Sequence, residues 1–292
     1  MVRTPFLLWE VLVKNIAKTN KSDARILMRI YMMERFLERM AKSKYSENFI
    51  IKGGILITSL VGISLRSTMD IDTSIRGFTL SQEEAMRIVK EISEINLEDD
   101  VTFRVKSVSG IMDEMDYPGI RLALDACMGI MVTPLKIDIS TGDVITPEAV
   151  KYDYRLMLEE RSIRVWSYNL ETILAEKLQT VMSRGVLNTR MRDYYDIYTL
   201  MLRYANEINQ DILRQAFDAT CIKRGTTDLT SRGAQIFDTV INDKEMCGLW
   251  SSYQKKYSYA KEISFEAAIK TTKHLYDLAA AQRFSANQES DF

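Results

Sequence analysis

Through the first ~45 residues apolar side chains recur at steps of three and four, with Ile26, Ile30, Met33 and Leu37 on one stripe and Arg25, Arg29, Arg35 and Arg39 set between them. That period predicts helix. The opening stretch MVRTPFLLWEVLVKN is interrupted by Glu10 and Lys14, too short and too charged for a signal peptide or membrane span, and reads as a core helix. From Phe49 to Ser140 the period shortens to two: RSTMDIDTSI, VTFRVKSVSGI, GIRLALDACMGIMV and PLKIDIS read as strands, and SQEEAMRIVKEISEI as a helix between the first two. After Pro147 the helical period returns in NLETILAEKLQTVMSR, RMRDYYDIYTLMLRYA and SFEAAIKTTKHLYDLAAAQ, and only SANQESDF reads as a frayed tail. The pattern predicts an α+β chain: N-terminal helices and a lobe on a mixed or antiparallel sheet over residues 1–147, then a mostly helical lobe over 148–292.

Composition narrows the chemistry. A chain of 292 residues, 46% hydrophobic and 27% charged, is long enough for two ordinary domains with sizeable cores. Lys and Arg total 39 against 40 Asp and Glu, so a polyanionic partner needs a local patch, because the chain as a whole offers no net field. Cys127, Cys221 and Cys247 lie far apart without CxxC spacing, which points away from zinc and disulfides and towards the cytosol. A single histidine, His274, removes Ser-His-Asp, Cys-His and multi-histidine metal chemistry. Any reaction has to run on carboxylates, lysine or arginine.

Asp70 and Asp72 stand two apart in a strand-like run, so both carboxylates point to one face, with Met69 and Ile71 expected towards the core. Like charges so close raise each other's proton affinity unless a cation sits between them, and hard oxygen ligands suit Mg²⁺ or Mn²⁺. In PLKIDIS the same alternation puts Asp138 on a wet face, where a neighbouring strand can bring it beside the pair as ligand or base. Three carboxylates around metal ions are the arrangement that clamps attacking and leaving oxygens in nucleotidyl transfer. A turn-capping or solvated acid pair is the competing reading. Upstream, Lys52-Gly53-Gly54 joins a strand stub to helical spacing, where glycines let a phosphate approach backbone N–H groups, although such a pair is also an ordinary tight turn.

Two later helices place charge within an apolar stripe. Lys177 falls among Leu170, Ile173, Leu174, Leu178, Val181 and Met182, with Glu171, Glu176 and Gln179 at the flank or on the opposite face. Arg190 and Asp193 lie at or within the stripe of Tyr194, Ile197, Tyr198, Leu200, Met201 and Tyr204, while Asp196, Arg192 and Arg203 fall on the polar side. Buried charge needs a partner. Either these groups form an ion network of their own, or they line a cleft facing the acid pair, where Lys177 and Arg190 neutralise a triphosphate.

The order KGG, RSTMDID, KIDIS, ETILAEKL and RMRDYYDIY, from about Phe49 to about Leu200, resembles the AbiEii/AbiGii toxin family of type IV toxin–antitoxin and abortive-infection systems. The resemblance implies a DNA polymerase β-like nucleotidyltransferase lobe joined to a helical lobe, using an NTP and Mg²⁺. By the same resemblance Asp70, Asp72, Lys177 and Asp193 are the catalytic residues, Asp70 and Asp72 as the metal pair and Lys177 and Asp193 as the motif lysine and aspartate, with Asp138 the third carboxylate and Ser67 the nucleotide-contacting serine. The glycine-serine pair of broader polymerase β-like enzymes is here Arg66-Ser67, with Gly53-Gly54 earlier.

The expected function is therefore a growth-inhibiting toxin that moves NMP from an NTP, GTP in some members, to an RNA acceptor such as the tRNA 3′ end, countered by an antitoxin that acts without necessarily forming a tight complex. RNA phosphates would meet the Arg25/Arg29/Arg35/Arg39 region or Lys255-Lys256. The alternatives are a protein or small-molecule acceptor with the same metal site, or a silent module that binds a partner through an old nucleotide cleft. No membrane partner is expected.

Overall fold

The computed structural model describes residues 23–111 and 119–281, together with Val13 and Asn15. The expected N-terminal core helix and C-terminal tail lie outside them. Asp23 caps helix α1 (Ala24–Lys42) by accepting the Arg25 N–H at 2.8 Å. Strand β1 (Phe49–Lys52) runs straight into helix α2 (Gly53–Val61), followed by β2 (Ile71–Ile75), α3 (Gln82–Ser93), β3 (Val101–Ile111), β4 (Gly119–Met128) and β5 (Met131–Thr141). Strands β6 (Val150–Arg155) and β7 (Ser162–Ser167) complete one seven-stranded sheet in the order β3-β4-β5-β2-β1-β7-β6. The sheet is mixed: β2 pairs parallel with β5 and β1 with β7, and the other neighbours are antiparallel. The expected α+β class holds.

The chain divides into two compact units, Met1–Asp143 with Ala149–Tyr168, and Val144–Glu148 with Asn169–Phe292. The change to helix thus falls at Asn169, some way past the expected boundary at 147. The segments KYDYR and SIRVWS alternate with period two, and antiparallel pairing of Lys151 with Trp166 and Tyr154 with Ile163 makes them a hairpin on the sheet.

Helix α1 also departs from its expected amphipathic form. Every residue from 30 to 40 is buried, Arg35 and Arg39 included. Arg39 grips both oxygens of Asp99 at 2.8 and 2.7 Å, Arg161 grips both of Glu38 at 2.8 Å, and Arg35 lies 3.0 Å from Glu38 and 2.9 Å from Glu159. A helix buried all round can carry such charges only when each has a partner. Arg35 and Arg39 are therefore withdrawn as RNA-contact candidates.

In the second unit Asn169 caps helix α4 (Leu170–Arg184), which stops at Gly185 with φ +51°. Helices α5 (Met191–Tyr204), α6 (Gln210–Lys223), α7 (Leu229–Ile241), α8 (Lys244–Lys256) and α9 (Phe265–Ala280) follow, with side-chain caps from Asn209, Asp243 and Ser264 before α6, α8 and α9. Helix α4 packs on α6, and α5 on α9. Among the described residues no helix is long and apolar enough to cross a membrane.

Candidate active site

The sheet presents its chemistry on one face. Parallel pairing sets Asp72 opposite Asp138, and period two adds Lys136 to that face, with Asp70 just ahead of β2 and close enough to feel Lys136 and Asp138, while Ile71, Thr73, Ile137 and Ile139 point the other way and are buried. Met69 differs from its expected core position: it is 41% exposed, with its sulfur 3.1 Å from the Arg29 guanidinium. It precedes β2, where strand alternation does not yet hold.

Asp72 is fixed from below by helix α2. Its Oδ2 accepts the Gly54 N–H at 2.9 Å, so the carboxylate sits at the helix N-terminus, where backbone dipoles favour negative charge. Gly53 makes this possible. Its φ is +57°, and a Cβ there would collide with the Asp72 carboxylate. Burial pushes up the proton affinity of Asp72, the Gly54 N–H works against that, and Asp138 and Asp70 add to the rise. Asp70 is raised too, first by burial, with Lys136 opposing and Asp138 reinforcing. The acid pair is short of positive charge.

Asp138 is not. Its two oxygens accept the Arg121 Nε and guanidinium nitrogen at 2.8 and 2.7 Å, because antiparallel β4–β5 pairing sets Arg121 directly opposite. Its expected place as a third metal ligand would require Arg121 to release it. Lys52 pairs across from Asp72 on β1, but its ammonium lies 2.6 Å from Asp143, which also accepts from Ser140 Oγ at 2.5 Å and Tyr168 OH at 2.8 Å. Burial disfavours the Asp143 charge, yet Lys52 outweighs it and lowers the proton affinity. Ser67 is half-buried, and its carbonyl accepts from the buried Arg66 guanidinium.

The helical unit holds a second cluster. Lys177 Nζ lies 2.8 Å from Asp193 Oδ1 and 2.7 Å from Asp196 Oδ2, and Arg190 Nε lies 2.9 Å from Asp193 Oδ2. Asp196, expected on the polar side, has a fully buried side chain because Lys177 reaches it across the helix pair. Gln179, expected at the flank, is buried as well and binds Thr226 and Arg224. Burial opposes charge on both Lys177 and Asp193, and mutual attraction overrides it, raising the lysine and lowering the aspartate. Arg190 keeps a side chain 49% exposed.

Sequence reasoning found Asp70, Asp72 and Asp138 on one sheet face, and Lys177, Arg190 and Asp193 in one cluster. It missed Arg121, Asp143 and Asp196. Arg121 had a signal, since GIRLALD alternates like PLKIDIS, but its partner depended on register. Asp143 sits past a strand end and had none.

Residues 35–271, which include both clusters, match the family model described as nucleotidyl transferase AbiEii toxin, type IV TA system. The chain is a nucleotidyltransferase by that match. It belongs to the AbiEii toxin family, as its motifs implied. The crystal structure of JHP933 from Helicobacter pylori is similar at 16% identity over 92% of this chain and 99% of that one, with a TM-score of 0.48. An antigenic nucleotidyltransferase-like protein from Paracoccidioides brasiliensis is similar at 16% identity over 70% of this chain and 91% of that one, with a TM-score of 0.40. No curated protein sequence matches.

Proposed function

We propose that the protein moves a nucleoside monophosphate from an NTP, GTP among them, to a hydroxyl on RNA, the tRNA 3′ end being the favoured acceptor, and so arrests growth until its antitoxin intervenes. The observation that carries this reading is the setting of Asp70 and Asp72: two acids of raised proton affinity beside the Gly53-Gly54 N-terminus of α2. The helix N-terminus holds the Asp72 carboxylate in place for a cation to meet.

The donor set fits a small hard cation. Two carboxylates on one face suit Mg²⁺ or Mn²⁺, which take one or two protein carboxylates and fill the remaining positions with water and phosphate oxygens. Among the described residues no three His, Cys, Asp or Glu side chains gather as a metal cluster. Held by Asp70 and Asp72, the cation supplies neutralisation of the triphosphate and of the departing pyrophosphate. The Ser67 hydroxyl binds a phosphate oxygen, while the Gly54 N–H stays with Asp72 and fixes its carboxylate. Lys52, anchored by Asp143, tempers the charge on Asp72. Asp138 orients Arg121 beside the acid pair.

In the helical unit Arg190 is an exposed cation suited to phosphate. Asp193 holds its Nε, and Lys177 compensates Asp193 and Asp196, so the motif lysine and aspartate act by positioning Arg190.

Incubation with labelled NTPs and Mg²⁺, in the presence of total RNA and a protein extract, tests this reading. Label should enter the RNA pool and should vanish with Asp70→Ala at unchanged thermal stability. Label in the protein pool would replace the acceptor, and toxicity retained by Asp70→Ala would remove the mechanism.

A further inference from the structure

Several cations of the helical unit are held in ion pairs. Lys270 pairs with Glu266 at 2.6 Å, Lys273 with Asp277 at 3.3 Å, Arg232 with Asp228 at 3.1 Å, and Lys177 and Arg190 with the buried aspartates. Lys255, Lys256 and Lys261 are exposed and form no ion pair among the described residues. They surround an aromatic ladder. Its inner rings, Phe265, Trp250 and Tyr253, are buried, with centroids 5.7 Å apart for the first pair and 5.6 Å for the second. Its outer rings, Tyr257 and Tyr259, are half-exposed and stacked, with centroids 5.4 Å apart and planes 23° from parallel. Arg192 closes the patch, donating to Tyr257 Oη at 3.0 Å with its guanidinium 5.6 Å from the ring, and Lys256 Nζ lies 5.4 Å from the same ring.

We infer that Tyr257 and Tyr259, with Arg192, Lys255, Lys256 and Lys261, form a docking surface for single-stranded RNA with unpaired bases. Flat rings offer bases a stacking surface, and cations without acid partners supply phosphate contacts. The charge has the right sign in a chain whose overall balance is −1. The patch also adjoins the second cluster, because Arg192 sits in the first turn of α5 beside Asp193. Lysines at the end of α8 are favoured by the helix C-terminus in any case, so position alone does not make the surface. The coincidence of unpaired charge with half-exposed stacked rings does. The choice of RNA over an acidic polypeptide rests on the acceptor assigned under the proposed function.

Fluorescence anisotropy with a labelled single-stranded oligoribonucleotide ending in unpaired bases, without NTP or divalent cation, tests the surface apart from the chemistry. Loss of nucleotide transfer leaves this result intact, and loss of binding leaves the transfer assignment intact. Tyr257→Ala should weaken binding by about tenfold, as removal of a stacking ring does, while Tyr257→Phe should retain most of the affinity. The triple variant Lys255→Ala, Lys256→Ala, Lys261→Ala should lower the salt slope of log Kd by about 2, at ~0.7 per phosphate contact. Thermal unfolding should show each variant folded. The inference is overturned if the wild-type protein does not bind, if folded Tyr257→Ala binds like wild type, or if polyglutamate displaces the oligonucleotide as well as unlabelled RNA does.

Discussion

The sheet and the helices each bury a group of aspartates, and they treat the charge in opposite ways. Asp193 and Asp196 are matched by Lys177 and Arg190, so burial is offset and the acid Asp193 stays ionised more readily than a free carboxyl group. Asp70 and Asp72 have one backbone N–H and distant cations to answer each other's charge and that of Asp138, and both hold protons more tightly than usual. A balanced group is complete as it stands. An unbalanced one carries repulsion that a divalent cation would relieve, which is why the proposed metal site is drawn at the acids of the sheet and not at those of the helices.

The comparison can be broken most sharply at Asp72. Asp72→Asn keeps an acceptor for the Gly54 N–H but removes a charge, so nucleotide transfer should fall by about ten-thousandfold, some 5 kcal/mol of barrier, with melting temperature unchanged or raised. Parallel transfer assays and thermal scans measure this directly. The helical cluster should respond the other way. Lys177→Met takes the shared cation away from two buried carboxylates, leaving Arg190 on Asp193, and should cost about 4 kcal/mol in urea unfolding. A folded Lys177→Met protein of wild-type stability would show that the cluster is not balanced by that lysine.

Helix α1 repeats the contrast within one turn. Burial drives Glu34 up to about 8, against the Met157 N–H that both its oxygens accept, whereas Glu38, equally hidden from solvent, is drawn down to about 2 by Arg161 and its neighbours. Glu34 is protonated in the folded state and ionised in the unfolded one between its ordinary value of 4.5 and about 8. Its contribution to stability is therefore full below pH 4.5 and declines as pH rises towards 8. Urea unfolding of wild type should lose roughly 3 kcal/mol relative to Glu34→Gln between pH 5 and pH 8. A parallel pH dependence in both proteins would refute the assignment.

The smallest effect concerns Arg121, whose side chain is 32% exposed. Arg121→Met should cost under about 1 kcal/mol of stability, as part-exposed ion pairs do, while freeing Asp138 to join the acid pair. Mn²⁺ affinity should then rise a few-fold. Unchanged affinity would place Asp138 beyond the cation's reach.

Much of this contrast was legible before any coordinates. Period two placed Asp70, Asp72 and Asp138 on a wet face, and period 3.6 flagged Lys177, Arg190 and Asp193 as charges in the wrong place, because both inferences rest on local geometry alone. What could not be read depended on contacts distant in sequence. Arg121 meets Asp138 only through the register of β4 on β5, and Asp143 meets Lys52 from across the sheet. Asp196 and Gln179 lie on the margins of their helical stripes, where the neighbouring helix decides what is buried. Arg35 and Arg39 looked like a solvated face because their acids, Glu159 and Asp99, come from segments far along the chain. The strands β6 and β7 were lost for a related reason: two six-residue runs between β5 and α4 gain their identity from pairing with each other and, for β7, with β1.

Titration of Mn²⁺ by electron paramagnetic resonance, with a non-hydrolysable NTP present, tests the central claim most directly. Wild type and Asp193→Asn should bind the ion alike, and the double variant Asp70→Asn, Asp72→Asn should release it. Mn²⁺ that stays bound after both sheet acids are neutralised, or that is lost from a folded Asp193→Asn protein, would contradict the account.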